Sequence, residues 1–274
     1  GPIDPDVWVL SIRSPEGRPV ALLANYSLHY VGGVGSGHVS ADYFGAFADR
    51  VQELLGADRL DPPFVGVMSN GTSGDINNID FRTPRPRKPP YGQIKLVADE
   101  LAREAVRVAN SITHHDRLTL DARTAELSLG VRKPDAEEVA RAEKLVDQAK
   151  GSSTLTREQL YARESLFLRE YPDQVPVTVQ AIRVGELGIV AIPCEVFVEI
   201  GLRIKAESAL KPVFTIELAN GYNGYLPTRE QHALGGYETW RARSSYLEVD
   251  AASKITERVL GLLKELADAR KGGG

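Results

Sequence analysis

The run LGIVAIPC, residues 187–194, is apolar or glycine from end to end apart from its closing proline and cysteine. A strand exposed on one face alternates apolar and polar side chains, whereas one covered on both faces does not. Residues 187–193 therefore read as an interior strand, the second arm of a hairpin with VPVTVQAIRV (175–184) and a turn near Gly185–Glu186. A chain with such a strand has to supply layers of helix on both sides of a sheet.

The order of the remaining segments supplies those layers. VWVLSI (7–12) and PVALLANYSL (19–28) flank the turn PEGR. SADYFGAFADRVQELLG (40–56) predicts a helix with Ser40 as N-cap, Gly56 as stop and an apolar stripe through Phe44, Phe47, Ala48, Val51 and Leu54 or Leu55. PFVGVMSN (63–70) reads as a short buried strand leading into the polar loop GTSGDINNID (71–80), and YGQIKLVADELAREAVRVANSI (91–112) as a long amphipathic helix. Residues 118–129 alternate as a half-exposed strand. Two charged helices separated by GSS occupy 134–170, so that 130–172 reads as a peripheral helical side subdomain. EVFVEIGLRIKAES is predicted helical, VFTIELA (213–219) a strand, and 249–269 the terminal helix. The fold class is α/β, a layered mixed β-sheet flanked by helices, with residues 1–274 forming a single domain.

Composition narrows the partners. A net charge of −4, with only a local basic tract at RTPRPRKPP (82–90), argues against nucleic acid. That tract is too rich in proline for helix or central strand. No apolar run reaches the 18 residues a membrane helix needs, and residues 1–12 lack signal-peptide order. The reading is a soluble chain of undetermined compartment, secreted or periplasmic if an upstream signal has been removed. One cysteine permits no internal disulfide. The closing GGG reads as a tail, and neither a Walker pattern nor a dinucleotide fingerprint is present.

Chemistry-bearing residues gather where predicted strands end. His29 closes PVALLANYSL before a glycine-rich loop and is either a structural hydrogen-bonding group or a metal ligand. His38, further along that loop, reads as solvent-exposed. Glu195 closes the apolar strand and is either a cap for the next helix or a ligand facing a cleft, with Glu199 at the surface and Cys194 a small hydrophobe. Asp75 lies in SNGTSGDINN, a turn or a loop that orients a substrate oxygen or metal ligand; Ser73 has no nucleophile-elbow context. Tyr222 and Tyr225 flank Gly224 in LANGYNGYLPT (218–228), as half-buried turn residues or as phenols aimed into one cleft.

These segments, taken in order, resemble the neutral/alkaline non-lysosomal ceramidase family, in pieces over about residues 1–260. NYSLH (25–29), SADYFG (40–45), NGTSGDINN, IPCEVFVEIGLRI, LANGYNGYLPTRE and GGYETW carry the resemblance. It implies a ceramidase-like catalytic fold and a zinc ion (Zn2+) held by His29, Glu195 and Tyr222. It places Tyr225 beside substrate as oxyanion donor, Asp75 matching the family's loop aspartate, and Tyr237 and Glu238 matching its Tyr-Glu pair. Three positions depart from the pattern: Asn77 stands at the family's serine, Cys194 at a glycine and Gly236 at an arginine. Asn77 would orient substrate, leaving the chemistry to metal-activated water. No His-Thr-His segment is present, and His114 and His115 match nothing, so the chain corresponds to the carboxyl part of a longer catalytic domain. An upstream polypeptide segment would supply a further metal histidine. The implied function is zinc-dependent hydrolysis of an N-acyl amide, small-molecule or lipid. The alternatives are a non-catalytic ligand-binding relative and a metal hydrolase of another ester or small amide.

Overall fold

The structure, a computed structural model, describes residues 1–83 and 88–269. The middle of the basic tract and the terminal glycines lie outside the described residues. The chain divides into two compact units, Gly1–Leu120 and Asp121–Gly274.

In the first unit β1 (Trp8–Arg13) and β2 (Pro19–Tyr26) form the expected hairpin, and β3 (Val65–Asn70) adds in parallel to β2, giving the order β1-β2-β3. α1 (Asp42–Leu54) and α2 (Gly92–Ala109) pack on each other, and α1 also covers β3. The core is Leu22 and Ala24 from β2, Tyr43, Phe47 and Val51 from α1, and Ile94, Ala98, Leu101, Ala102 and Ala105 from α2.

Three expectations change here. The buried stripe of α1 runs through Tyr43, Phe47 and Val51, with Phe44 stacked beside Tyr43 at its edge. Spacing alone admits either register; what selects Tyr43 is that its hydroxyl can donate to the Leu28 carbonyl (2.8 Å) when the ring points inward. Nor is Ser40 the cap. Ala41 holds that position without a side-chain bond, and Ser40 Oγ accepts from the Asp42 N–H instead (3.0 Å). β3, read as buried, is an edge strand of this sheet with Val65 and Val67 exposed; Gly66 faces α1, where a Cβ would lie 2.7 Å from Val51 Cγ1.

The second unit holds a four-stranded sheet of order β4-β5-β6-β8, from β4 (Leu120–Gly130), β5 (Gln174–Val184), β6 (Leu187–Ile192) and β8 (Val213–Glu217). β5 and β6 are antiparallel, β6 and β8 parallel. β6 is an inner strand, as its two apolar faces require. α7 (Ala251–Ala269) packs on β5 and on α5 (Val198–Glu207), and α3 (Ala136–Gln148) pairs with α4 (Arg157–Arg169). Both helices of that pair open with capping boxes, Asp135 with Glu138 and Thr156 with Gln159.

The predicted helix from Glu195 begins only at Val198. Glu195–Val196 is instead a two-residue strand, β7, parallel to β9 (Tyr225–Leu226). A short helix, α6 (Arg229–Leu234), follows. Among the described residues no helix is long and apolar enough to cross a membrane.

Candidate functional site

The sequence-predicted residues fall into two clusters, one per unit. In the first, His29 follows β2 and its backbone N–H donates to Ile76 O (3.1 Å), which lays the 71–78 loop against it. Its Nδ1 lies 3.2 Å from the Ser73 carbonyl. A carbonyl only accepts, so this contact is a hydrogen bond when Nδ1 carries the proton, and in the neutral ring that leaves the lone pair on Nε2, the tautomer that suits an Nε2 metal ligand.

Flanking residues hold this turn. The Asp42 carboxylate accepts from the Val31 (2.8 Å) and Gly32 (2.7 Å) N–H groups, and Tyr43 secures Leu28 on the other side of His29. Asp42 itself adopts φ +52°, a left-handed conformation repaid by these bonds. Gly71 lets the 71–78 loop pass close to β2, where a Cβ would meet Ser27 Oγ at 2.4 Å. Ser73 is fully buried and donates to Asn70 Oδ1 (3.1 Å). Asp75 is half-buried and Asn77 exposed, both on this loop, while Asn78 reaches back to Val31 O (3.4 Å). His38 is exposed, as read, with Nδ1 2.8 Å from the Tyr91 hydroxyl.

The second cluster forms where β6 gives way to β7. Glu195 is nearly buried, at 9% exposure, and Tyr222 donates to its Oε1 (3.0 Å). Tyr225 stands directly opposite Glu195 in the β7–β9 register. Glu195 is therefore no helix cap: Phe197 holds that place without a side-chain bond. Burial, then the negative charge of Glu195, push the Tyr222 phenol up to about 12. The Tyr225 phenol is raised further, by burial first, then by its hydrogen bond with Tyr237 and by Glu195. Tyr237 meets Tyr225 edge-on, ring centres 5.8 Å apart. Both phenols stay protonated at neutral pH unless a cation replaces their protons.

The glycines of the tyrosine turn have distinct work. Gly224 sits at φ +74°, and a Cβ there would fall 2.4 Å from the Ser244 carbonyl oxygen. Leu218 and Asn220 are also left-handed, at φ +54° and +69°. The strain is held by Asn223, whose N–H and Nδ2 both donate to Pro193 O (2.8 and 3.1 Å) and whose Oδ1 accepts from Tyr246 (2.7 Å). From below, Glu217 Oε2 accepts the Val196 N–H (2.7 Å). Cys194 is fully buried, its thiol raised by burial, and is a small hydrophobe as expected. Glu199 is half-buried: Gln231 donates to its Oε1 (2.8 Å), and its Oε2 is buried without a partner among the described residues.

Asp42, Tyr43, Asn223, Tyr246 and Glu217 join the site only in the folded structure. Asp42 and Tyr43 had a signal, lying in SADYFG; the others act through contacts that no local pattern records. Among the described residues no group of three or more His, Cys, Asp or Glu side chains is gathered as for a metal. The expected set contains only two residues of those types and a phenol. Imidazole nitrogen, carboxylate and phenol oxygens are nevertheless donors that zinc accepts, and the His29 tautomer and the Glu195–phenol pairing fit that use.

No protein-family model and no curated protein sequence matches the chain. Solved structures do. The crystal structure of neutral ceramidase from Pseudomonas aeruginosa superposes with TM-score 0.66 at 18% identity, over 97% of this chain and 47% of that one. A ceramidase structure complexed with C2 superposes with TM-score 0.68 at 16% identity, over 98% and 48%. The chain spans about half the length of these proteins, and its fold is that of the corresponding part of the neutral ceramidase structures.

Proposed function

We propose that the protein is a zinc-dependent hydrolase of N-acyl amides, ceramide-like lipids included. The observation that carries this reading is the nearly buried Glu195 carboxylate with Tyr222 bonded to it and Tyr225 opposite, on a ceramidase fold. His29, Glu195 and Tyr222 would hold Zn2+, joined by a histidine from an upstream polypeptide segment. When bound, the ion supplies an activated water and polarises the substrate carbonyl.

The chain's own residues do the rest. The Ser73 carbonyl and the Asp42–Tyr43 clamp aim His29. Tyr225 keeps its proton at neutral pH and can donate it to an oxyanion developing on the carbonyl. Asp75 would hold the loop or a metal ligand, and the exposed Asn77 would orient substrate by hydrogen bonding. With an amide at position 77, no side-chain nucleophile is offered there.

Metal analysis and turnover test this reading together. Zinc should bind stoichiometrically, fall in His29→Ala and Glu195→Gln, and be required for hydrolysis of an N-acyl amide panel after chelation. Comparing Tyr222→Phe with Tyr225→Phe separates the two phenols: loss of zinc marks the ligand, and loss of turnover at full zinc marks the oxyanion donor. Unchanged zinc content in the His29 and Glu195 variants would sink the proposal. Asn77 favours a second reading, a non-catalytic binding relative, for which zinc would bind but no amide or ester would turn over.

A further inference from the structure

The α3–α4 hairpin reads from sequence as peripheral, yet its polar contacts converge on one segment, residues 239–247. Glu164 on α4, its side chain 10% exposed, takes both arms of the Arg243 guanidinium (2.8 and 2.9 Å) and also the Arg243 N–H (3.3 Å). Glu138 on α3 pairs with Arg241 (2.7 Å). Trp240 lies edge-on to Tyr161 of α4, ring centres 5.2 Å apart. From the end of β4, Arg132 donates to three carbonyls of the segment, Thr239, Ser245 and Leu247 (2.9, 2.6 and 2.9 Å).

The same segment meets the tyrosine turn. Ser244 O accepts the Tyr225 N–H (2.8 Å) and closes over Gly224, and Tyr237, just upstream, packs on the Tyr225 ring. A fork-to-fork Arg–carboxylate pair fixes direction as well as distance. Arg243 has no other carboxylate partner among the described ion pairs, and its guanidinium lies over the Phe167 ring of α4 (4.1 Å to the ring centre), so Glu164 with Phe167 beneath sets where it stands.

We infer that Glu164 is a positioning residue: through Arg243 it holds the Tyr237–Leu247 segment against Tyr225, making the α3–α4 hairpin the support of the substrate-facing wall of this cluster. The inference rests on the Glu195–tyrosine cluster being the substrate site, and its test has one arm that does not need turnover. The chain has two tryptophans, so Trp8→Phe leaves Trp240 as its sole tryptophan, excited selectively over the tyrosines at the red edge of absorption.

In that background Glu164→Gln should red-shift Trp240 emission and raise its quenching by acrylamide at unchanged far-UV circular dichroism. The charge-swapped pair Glu164→Arg with Arg243→Glu should restore the parent spectrum. For N-acyl amide hydrolysis, kcat should fall on the order of tenfold in Glu164→Gln at nearly constant KM, because Tyr225 acts on the developing oxyanion. If Glu164→Gln does not fold, Arg243→Lys, which keeps charge but loses the fork, is expected to give the same changes. Trp240 emission and quenching identical to the parent overturn the inference, as does a released Trp240 with kcat unchanged. A parent protein without turnover would defeat the hydrolase reading alone, leaving the fluorescence result to decide the positioning.

Discussion

Single residues carry more of the second cluster than their sequence context suggests. Gly224 is required twice over, by its left-handed φ and by the Ser244 carbonyl where a Cβ would stand. Gly224→Ala should cost about 3 kcal/mol or more, combining positive-φ strain with a backbone clash, and a urea midpoint measures it. Tyr246 is buried, and its hydroxyl donates to Asn223. Tyr246→Phe should lose about 1–2 kcal/mol, since Asn223 Oδ1 loses its donor. The pH dependence adds a second check. Burial raises the Tyr246 phenol from 10.0 to about 12, so the folded state keeps a proton that the unfolded chain releases. Its stabilising contribution is whole below pH 10 and is lost as pH climbs to about 12. Urea midpoints of the parent should therefore fall more steeply than those of Tyr246→Phe across that window; parallel slopes would contradict it.

At the scale of elements, most of the architecture was legible in the sequence because it is written in local periodicity. The β5–β6 hairpin, the inner position of β6 and the helices α2, α3, α4 and α7 follow from alternation, unbroken apolar runs and 3.6-residue stripes. The misreadings mark where non-local contact outweighs local pattern. β3 has the apolar look of a buried strand but lies at a sheet edge, and α1 presses against its Gly66. Gly66→Val would improve intrinsic strand propensity, yet the added side chain has to displace Val51 and the Ala48 backbone. The expected net effect is a loss of about 1–3 kcal/mol, read as a lower melting temperature. A gain in stability would show that α1 can retreat from β3. The Glu195–Val196 strand escaped notice for a related reason: its partner lies thirty residues away, and its own two residues equally suit a helix entrance.

Across the whole molecule, two cores are assembled from separate stretches of chain, one built on Leu22, Phe47 and Ala102, the other on Val190, Ile192, Ile255 and Leu263. Phe47→Ala opens the first and should cost about 3–5 kcal/mol there. Native-state hydrogen exchange should then quicken in β2, α1 and α2, with β6 and α7 keeping their protection. Equal acceleration in β6 and α7 would mean that the two cores open as one cooperative unit. The site residues divide along the same line. His29, Asp75 and Asn77 belong to the first unit, and Glu195, Tyr222 and Tyr225 to the second.

By itself the sequence determined the α/β class, the strand and helix order, and the strand-end positions of His29 and Glu195, because periodicity and turn chemistry act over a few residues. Only the tertiary structure decided which atoms those residues meet. The Ser73 carbonyl selects the His29 tautomer, the β7–β9 pairing sets Tyr225 opposite Glu195, and Asn223 with Tyr246 holds a strained turn in place. Each of these joins residues more than twenty positions apart, where hydrogen-bond geometry and packing select the partner and no short stretch of sequence names it.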